Sequence, residues 1–253
     1  MTADIEYVER PRAKKSGLKK IIVGESETTI RNCQTFLQKI TNGKDKAKVL
    51  VIGGGEYGSG TAELWSHPNV EIHSLDIYNS VSVDLICDAH YLPLKSDFYD
   101  GVWIQAVLEH VVEPHVVVKE IHRVLKTDGW VYAETPFMQQ VHEGAYDFTR
   151  FTVLGHRYLF REFKAEDFGG NKGAEVSFTW SVRYLIWAIT RSQKVARLVG
   201  LAVGILVRPL KYVTSEASLF DSSSGVFFLG QKSDEERITH KELVALYRGQ
   251  YRS

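Results

Sequence analysis

The stretch VLVIGGGEYGSG, Val49–Gly60, decides how this chain folds. Val49, Leu50, Val51 and Ile52 read as a short strand buried on both faces. Gly53, Gly54 and Gly55 follow at once, Gly58 and Gly60 come soon after, and TAELW then opens a helix. Glycines let the backbone turn sharply and approach a ligand without Cβ clashes. The helix start adds unpaired N–H groups and a partial positive charge. Gly53, Gly55 and Gly58 have the G-x-G-x-x-G spacing of a nucleotide cradle. Taken alone, the same residues also serve a tight strand-to-helix turn that binds nothing.

Toward the N-terminus, Ile30, Cys33, Leu37 and Ile40 recur at helical spacing and predict an amphipathic helix over residues 27–40, with Gly43 near its C-cap. The twenty residues at the N-terminus are polar and locally basic, with Arg10, Arg12, Lys14, Lys15, Lys19 and Lys20. They read as a solvated arm or as a weak contact for an anionic surface.

Toward the C-terminus, VEIHSLDIY (Val70–Tyr78) is a second strand with Asp76 at its end. An acidic residue about 20 positions after a glycine turn is where a ribose diol is held, because one carboxylate accepts two hydroxyl hydrogen bonds. A plain turn or cap carboxylate is the alternative. Val83–Cys87 read as a third strand ended by Asp88 and Ala89, and Gly101–Ala106 as a fourth, followed by a loop with Glu109 and His110. Glu109 reads as a cap for the amphipathic helix EPHVVVKEIHRVLK, after which WVYAETPF is a fifth strand. Strands alternating with helices predict a parallel, doubly wound sheet with right-handed crossovers. Ligands in such sheets lie beyond the carboxyl ends of the strands, where the glycine turn, Asp76, Asp88 and residues 105–110 all fall.

Composition narrows the classes. Thirty-one basic side chains balance thirty-one acidic ones, so nothing global argues for a nucleic-acid partner. The two cysteines, Cys33 and Cys87, make no metal-binding pattern, and no metal is expected. This cysteine usage, the lack of a signal-like apolar N-terminus and the lack of an apolar run of ~20 residues predict a cytoplasmic location.

Four segments together, VLVIGGGEYGSG, HSLDIY, CDAHYLPLKSDFYDGVWIQAVLEHV and KEIHRVLKTDGWVYAETPF, resemble the class I S-adenosylmethionine-dependent methyltransferases. The similarity covers roughly residues 48–137. It implies a Rossmann-like, doubly wound, mostly parallel seven-stranded sheet as the fold class, with S-adenosyl-L-methionine as the cofactor. By resemblance Gly53, Gly54, Gly55, Glu56 and Gly58 pass the methionine part of the cofactor. Asp76 and Ile77 lie at the ribose, Asp88 and Ala89 flank the adenine, and Gln105, Ala106 and Val107 run along the cofactor near the transferred methyl. The chain departs from the family at Val51, where an acidic residue is usual, and Glu56 is the residue that could supply that charge. A nicotinamide-dependent oxidoreductase, an aminopropyl transferase and a catalytically silent scaffold are the competing readings. The Tyr-x-x-x-Lys pair of the first and the acidic signature of the second are absent where they are expected.

After the fifth strand, His142, Tyr146, Asp147 and Arg150 concentrate in one loop ahead of a helix starting near Thr152. By resemblance this loop covers the methyl acceptor. Tyr146, Asp147 and Arg150 are the substrate candidates, with a surface ion pair as the plain alternative. His110 and His142 are the candidate bases, which an oxygen acceptor needs. The expected acceptor is a small molecule, a lipid or a glycan-type group, with O-methylation favoured. Ala174–Trp180 read as a sixth strand and Ser224–Lys232 as a seventh, with a helical insertion over residues 181–223. The insertion's apolar run, Leu198–Val207, has basic neighbours. It reads as a lid, as a peripheral membrane contact, or as a homodimer seam through Gly200 and Gly204. The expected organisation is residues 1–46 as arm and covering helix, 47–233 as the methyltransferase domain, and 234–253 as a charged tail.

Overall fold

The computed structural model describes residues 26–233 and 237–251; the basic arm lies outside them. The helices are α1 (Glu27–Thr41), α2 (Ala62–Ser66), α3 (Pro114–Val124), α4 (Val153–Leu159), α5 (Ala174–Thr190), α6 (Gln193–Val207), α7 (Glu216–Ser222) and α8 (His240–Ala245). The strands are β1 (Ala47–Ile52), β2 (Val70–Asp76), β3 (Leu85–Ile86), β4 (Tyr99–Gln105), β5 (Leu125–Pro136), β6 (Phe163–Asn171) and β7 (Gly225–Lys232). They form one sheet in the order β3-β2-β1-β4-β5-β7-β6, parallel except for β7, which is antiparallel to both of its neighbours.

The continuous apolar run of β1 is explained by burial on both sides. Val49 and Val51 face Cys33, Phe36, Leu37 and Ile40 of α1, while Leu50 and Ile52 join the opposite core with Val117, Ile121 and Val124 of α3. Helix α1 starts where Ser26 accepts the Thr29 N–H at 3.1 Å and stops at Asn42, with Gly43 at φ +69° in the left-handed region that favours glycine. Helix α4 is capped by Thr152, as its sequence predicts.

Three sequence expectations need correction. Ala174–Trp180 is not a strand but the first half of α5, and the sixth strand is Phe163–Asn171. Val176, Phe178 and Trp180 alternate as a strand would, but the apolar stretch runs on through YLIWAIT, and only a helix accommodates that length. The true strand carries Lys164, Glu166 and Asp167 because it is the sheet edge, where charge discourages pairing with another chain. The fifth strand starts at Leu125, directly out of α3, and the third is two residues long.

The insertion is a helical hairpin, α5 and α6, lying between β6 and β7. Ala196, Gly200 and Gly204 are the buried residues of α6, and a Cβ on Gly200 would lie 3.2 Å from the Arg183 Cβ of α5. These glycines therefore serve a crossing within the chain rather than a free dimer seam. The other face of α6 is apolar and open, with Leu198, Ile205 and Leu206 each at least 60% exposed. Among the described residues no helix is long and apolar enough to cross a membrane. Helix α5 also reaches the loop after β5: the Tyr184 hydroxyl donates to the Val141 carbonyl at 2.6 Å, and Gln140 Nε2 donates to Ser181 Oγ at 3.2 Å.

Candidate active site

The glycine turn is folded onto the strand ends beside it. The Gly53 and Gly54 N–H groups both donate to the Leu75 carbonyl at 2.9 Å, and the Gly55 N–H donates to Asp76 Oδ2 at 2.9 Å. Gly53 has φ +79°, and a Cβ there would meet Val107 Cγ2 at 2.3 Å. A Cβ on Gly58 would meet Gln105 Oε1 at 2.0 Å. The turn is thus built against Asp76, Gln105 and Val107, three residues that the sequence assigned to the same cofactor. Val51, Gly53, Glu56, Gly58 and Gln105 line one cleft.

Asp76 also accepts the Tyr78 N–H at 3.2 Å through Oδ1. Each carboxylate oxygen therefore keeps a lone pair for another donor. Ile77 follows it and is half exposed. Asp88 is half exposed, with Oδ1 2.5 Å from His90 Nδ1, and Ala89 is buried. Both sit at the same sheet edge, because the Cys87 N–H bonds the Asp76 carbonyl. Ala106 leaves β4 at φ +56°, a conformation uncommon for a side chain with a Cβ and frequent at functional sites.

Val51 is 5% exposed, and no carboxylate stands at its position. Sequence reasoning missed the group that stands nearby. Glu134, paired with Gln105 across β4 and β5, accepts from Thr29 Oγ1 at 2.8 Å, the Tyr132 hydroxyl at 2.9 Å and Gln105 Nε2 at 3.3 Å. Gln105 Oε1, over Gly58, is buried without a hydrogen-bond partner among the described residues. An acceptor left unmet in the cleft calls for a donor from a ligand.

The acceptor loop closes over the end of β4. His110 Nδ1 lies 2.7 Å from the Tyr146 carbonyl, and the His110 and His142 rings meet edge-on, 5.0 Å between centroids. Glu109 lies between them, with Oε1 3.5 Å from His110 Nε2 and 3.8 Å from His142 Nε2. Its side chain is fully buried, and among the described residues neither oxygen has a hydrogen-bond partner. Glu109 does not cap α3, whose N-cap is Glu113. Burial pushes its carboxyl up to about 8. Burial also pushes both imidazoles below their ordinary value, and at His142 the neighbouring His110 adds to this. At neutral pH the trio is therefore uncharged, with the His110 Nε2 lone pair turned toward Glu109.

Asp147 and Arg150 are no surface pair. The Asp147 side chain is 1% exposed. Burial opposes its ionisation, yet hydrogen bonds from Arg150 and the His142 N–H hold it at about 2. Arg150 also donates to the Gln139, Gln140 and Thr149 carbonyls, at 3.0, 3.3 and 2.9 Å. The pair thus fastens the loop that carries His142. Tyr146 offers its carbonyl rather than its ring to His110.

A family model described as a methyltransferase domain matches residues 50–133, from β1 through most of β5. That match covers about a third of the chain and marks residues 50–133 as similar to a methyltransferase domain. The chain is similar in fold to a SAM-dependent methyltransferase from Archaeoglobus fulgidus, with 15% identity, 85% of this chain and 97% of that one covered, and a TM-score of 0.53. It is also similar to a proposed sarcosine dimethylglycine methyltransferase from Galdieria sulphuraria, with 18% identity, coverage of 82% and 85%, and a TM-score of 0.51. No curated protein matches its sequence. The cleft has features that suit S-adenosylmethionine: a glycine-walled turn, a carboxylate with acceptor capacity left, and a buried amide oxygen without a donor among the described residues.

Proposed function

We propose that this chain is a class I S-adenosylmethionine-dependent methyltransferase and that it methylates a hydroxyl oxygen of a small-molecule, lipid or glycan-type acceptor held between the glycine turn and the Glu109–His110–His142 trio. The bound cofactor supplies an activated methyl on a sulfonium, so the protein's task is to position the acceptor in line and remove its proton. Asp76 holds the ribose hydroxyls, Asp88 and Ala89 flank the adenine, and Gly53–Gly58 with Gln105–Val107 lie along the methionine. Gln105 Oε1, backed by Glu134, takes the ammonium donor that the family meets at the position of Val51. Tyr146, Asp147 and Arg150 set the acceptor loop. A neutral imidazole of His110 or His142 accepts the hydroxyl proton.

The single observation that carries the oxygen acceptor is the placing of two partly buried imidazoles against the buried Glu109 carboxyl at the end of β4. A nitrogen acceptor that is already neutral needs no base of this kind. A membrane-borne acceptor has its own support: the hairpin that holds the acceptor loop shows an open apolar face.

Calorimetric titration tests the cofactor roles. S-adenosylhomocysteine should bind with micromolar affinity, Asp76→Ala should abolish that binding, and NADH should give no signal. Absence of S-adenosylhomocysteine binding to the unmodified chain would overturn the assignment.

A further inference from the structure

We infer that Glu109, His110 and His142 form a binding site for a divalent first-row transition-metal ion, with zinc as the best chemical match. Their ligand atoms all lie within 4.8 Å of one another. Two ligands with bonds of ~2.0–2.1 Å to a tetrahedral ion sit roughly 3.4 Å apart. The separations from Glu109 Oε1 to His110 Nε2 and His142 Nε2 are 3.5 and 3.8 Å. Two of the three separations are therefore within a few tenths of an ångström of coordination geometry, and the separation between the two imidazoles is within 4.8 Å.

A second and independent observation is the state of Glu109. Its side chain is fully buried and, among the described residues, both oxygens lack any hydrogen-bond donor. Buried carboxylates are almost always paired or coordinated. A cation in the space between the two rings meets this demand, and among the described residues no side chain hydrogen-bonds either oxygen.

The outer contacts point the same way. His110 Nδ1 donates to the Tyr146 carbonyl at 2.7 Å, which leaves its lone pair on Nε2, facing Glu109. His142 is tied to the loop through its backbone N–H, which donates to Asp147 Oδ2 at 2.9 Å, while its Nδ1 lies 3.3 Å from that oxygen without a hydrogen bond among the described residues. Histidine ligands are usually oriented by a carbonyl or a carboxylate on the second ring nitrogen. Two imidazoles and one carboxylate suit zinc, iron or nickel, whereas magnesium and calcium prefer all-oxygen sets. Three protein ligands leave a coordination position open, the pattern of a catalytic ion rather than a structural one.

The site rests on the proposed function only for its catalytic use, where the ion takes the place of the imidazole base named there. With the ion bound, both histidines are ligands instead of bases. An acceptor hydroxyl on the open position releases its proton to solvent at a lowered pH. Its oxygen then bonds to the methyl as the S–CH3 bond breaks, and S-adenosylhomocysteine leaves as a neutral thioether.

The test uses full-length, tag-free protein stripped with EDTA. Zinc is titrated calorimetrically against a competing chelator, and Co2+ is added as a spectroscopic probe. One ion per chain and visible ligand-field bands of low-coordinate Co2+ are expected, with no saturable magnesium binding. Glu109→Gln preserves volume, and together with His142→Ala it should weaken zinc binding at least ~10-fold while circular dichroism and S-adenosylhomocysteine binding stay unchanged. Zinc affinity equal in Glu109→Gln and the unmodified chain, or no ion bound, would overturn the inference. If S-adenosylhomocysteine binds and zinc does not, only the metal site fails. If zinc binds and S-adenosylhomocysteine does not, the cofactor reading fails instead.

Discussion

Glu109 makes a prediction about stability as well as chemistry. Its carboxyl takes up a proton at about 8 in the folded chain, against an ordinary value of 4.5. The folded state therefore binds more protons than the unfolded one between these values. The stability this provides is complete below pH 4.5 and is lost as pH rises toward 8, by about 1.4 kcal/mol per pH unit at most. Urea unfolding of the metal-free protein should show that decline, and Glu109→Gln, a permanent mimic of the neutral acid, should flatten it. Equal slopes in the two proteins would refute the assignment. The acid side has the opposite sign. Burial holds His156 down to about 3, with Nε2 2.6 Å from Thr135 Oγ1. Its contribution is present above the ordinary value of 6.5 and is lost as pH falls toward 3. Glycines separate in the same residue-by-residue way. Gly53→Ala forces a left-handed residue with a Cβ into Val107, so it should cost ~2 kcal/mol or more and remove S-adenosylhomocysteine binding. Gly43→Ala, equally left-handed but with nothing within 4 Å, should cost only ~1–2 kcal/mol and leave binding intact. Chemical denaturation and calorimetry on the pair check both halves. The glycines and Asp76 were legible because spacing from a strong strand marks them. Glu109 was not read as buried, since adjacency to His110 says nothing about which way a short 3-10 turn points. Glu134 was passed over because its partner Gln105 is 29 residues away.

At the scale of elements, local patterns were legible wherever one period dominated. The 3.6-residue repeat placed α1 and α3, and the unbroken apolar run placed β1. The patterns misled between residues 163 and 180, where a charged edge strand lacks the apolar signature and a helix start alternates like a strand. The insertion is where sequence leaves function most open. Structure shows that α6 turns its small residues inward onto α5 and its large ones outward. Arg191, Lys194 and Arg197 lie beside that face. Such an arrangement suits the interface of an anionic bilayer, where buried apolar area and basic side chains act together. Co-sedimentation with vesicles containing phosphatidylserine should retain the unmodified protein, and retention should fall at high salt. Leu198→Asp with Leu206→Asp should abolish it without altering S-adenosylhomocysteine binding. Equal recovery of both proteins in the supernatant would leave the hairpin as a lid on the acceptor loop alone.

Across the whole molecule, a chain of polar contacts links distant segments at the cofactor edge. Ser26 Oγ donates to Asn171 Oδ1, Asn171 Nδ2 to Thr29 Oγ1 at 3.2 Å, and Thr29 Oγ1 to Glu134 Oε2, which also takes Gln105. The start of α1, the end of β6, β5 and β4 thus converge on Gln105, whose free Oε1 faces the cleft. A ligand donor meeting that oxygen completes the network, so cofactor binding should act on global stability. Binding to the folded state alone adds RT ln(1 + [L]/Kd), about 2.7 kcal/mol at a hundredfold excess over Kd. For a domain of this size each kcal/mol moves the melting temperature by ~2–4 °C. S-adenosylhomocysteine at that excess should therefore raise Tm by about 5–11 °C. Gln105→Leu removes the buried acceptor while keeping much of the volume. It should reduce the shift to a few degrees and raise Kd, and the ligand-free Tm should fall modestly as well, because Glu134 Oε2 and the Ser59 carbonyl lose the Nε2 donor. A variant with a full thermal shift would return the methionine end of the cofactor to Glu56, the other carboxylate beside the turn.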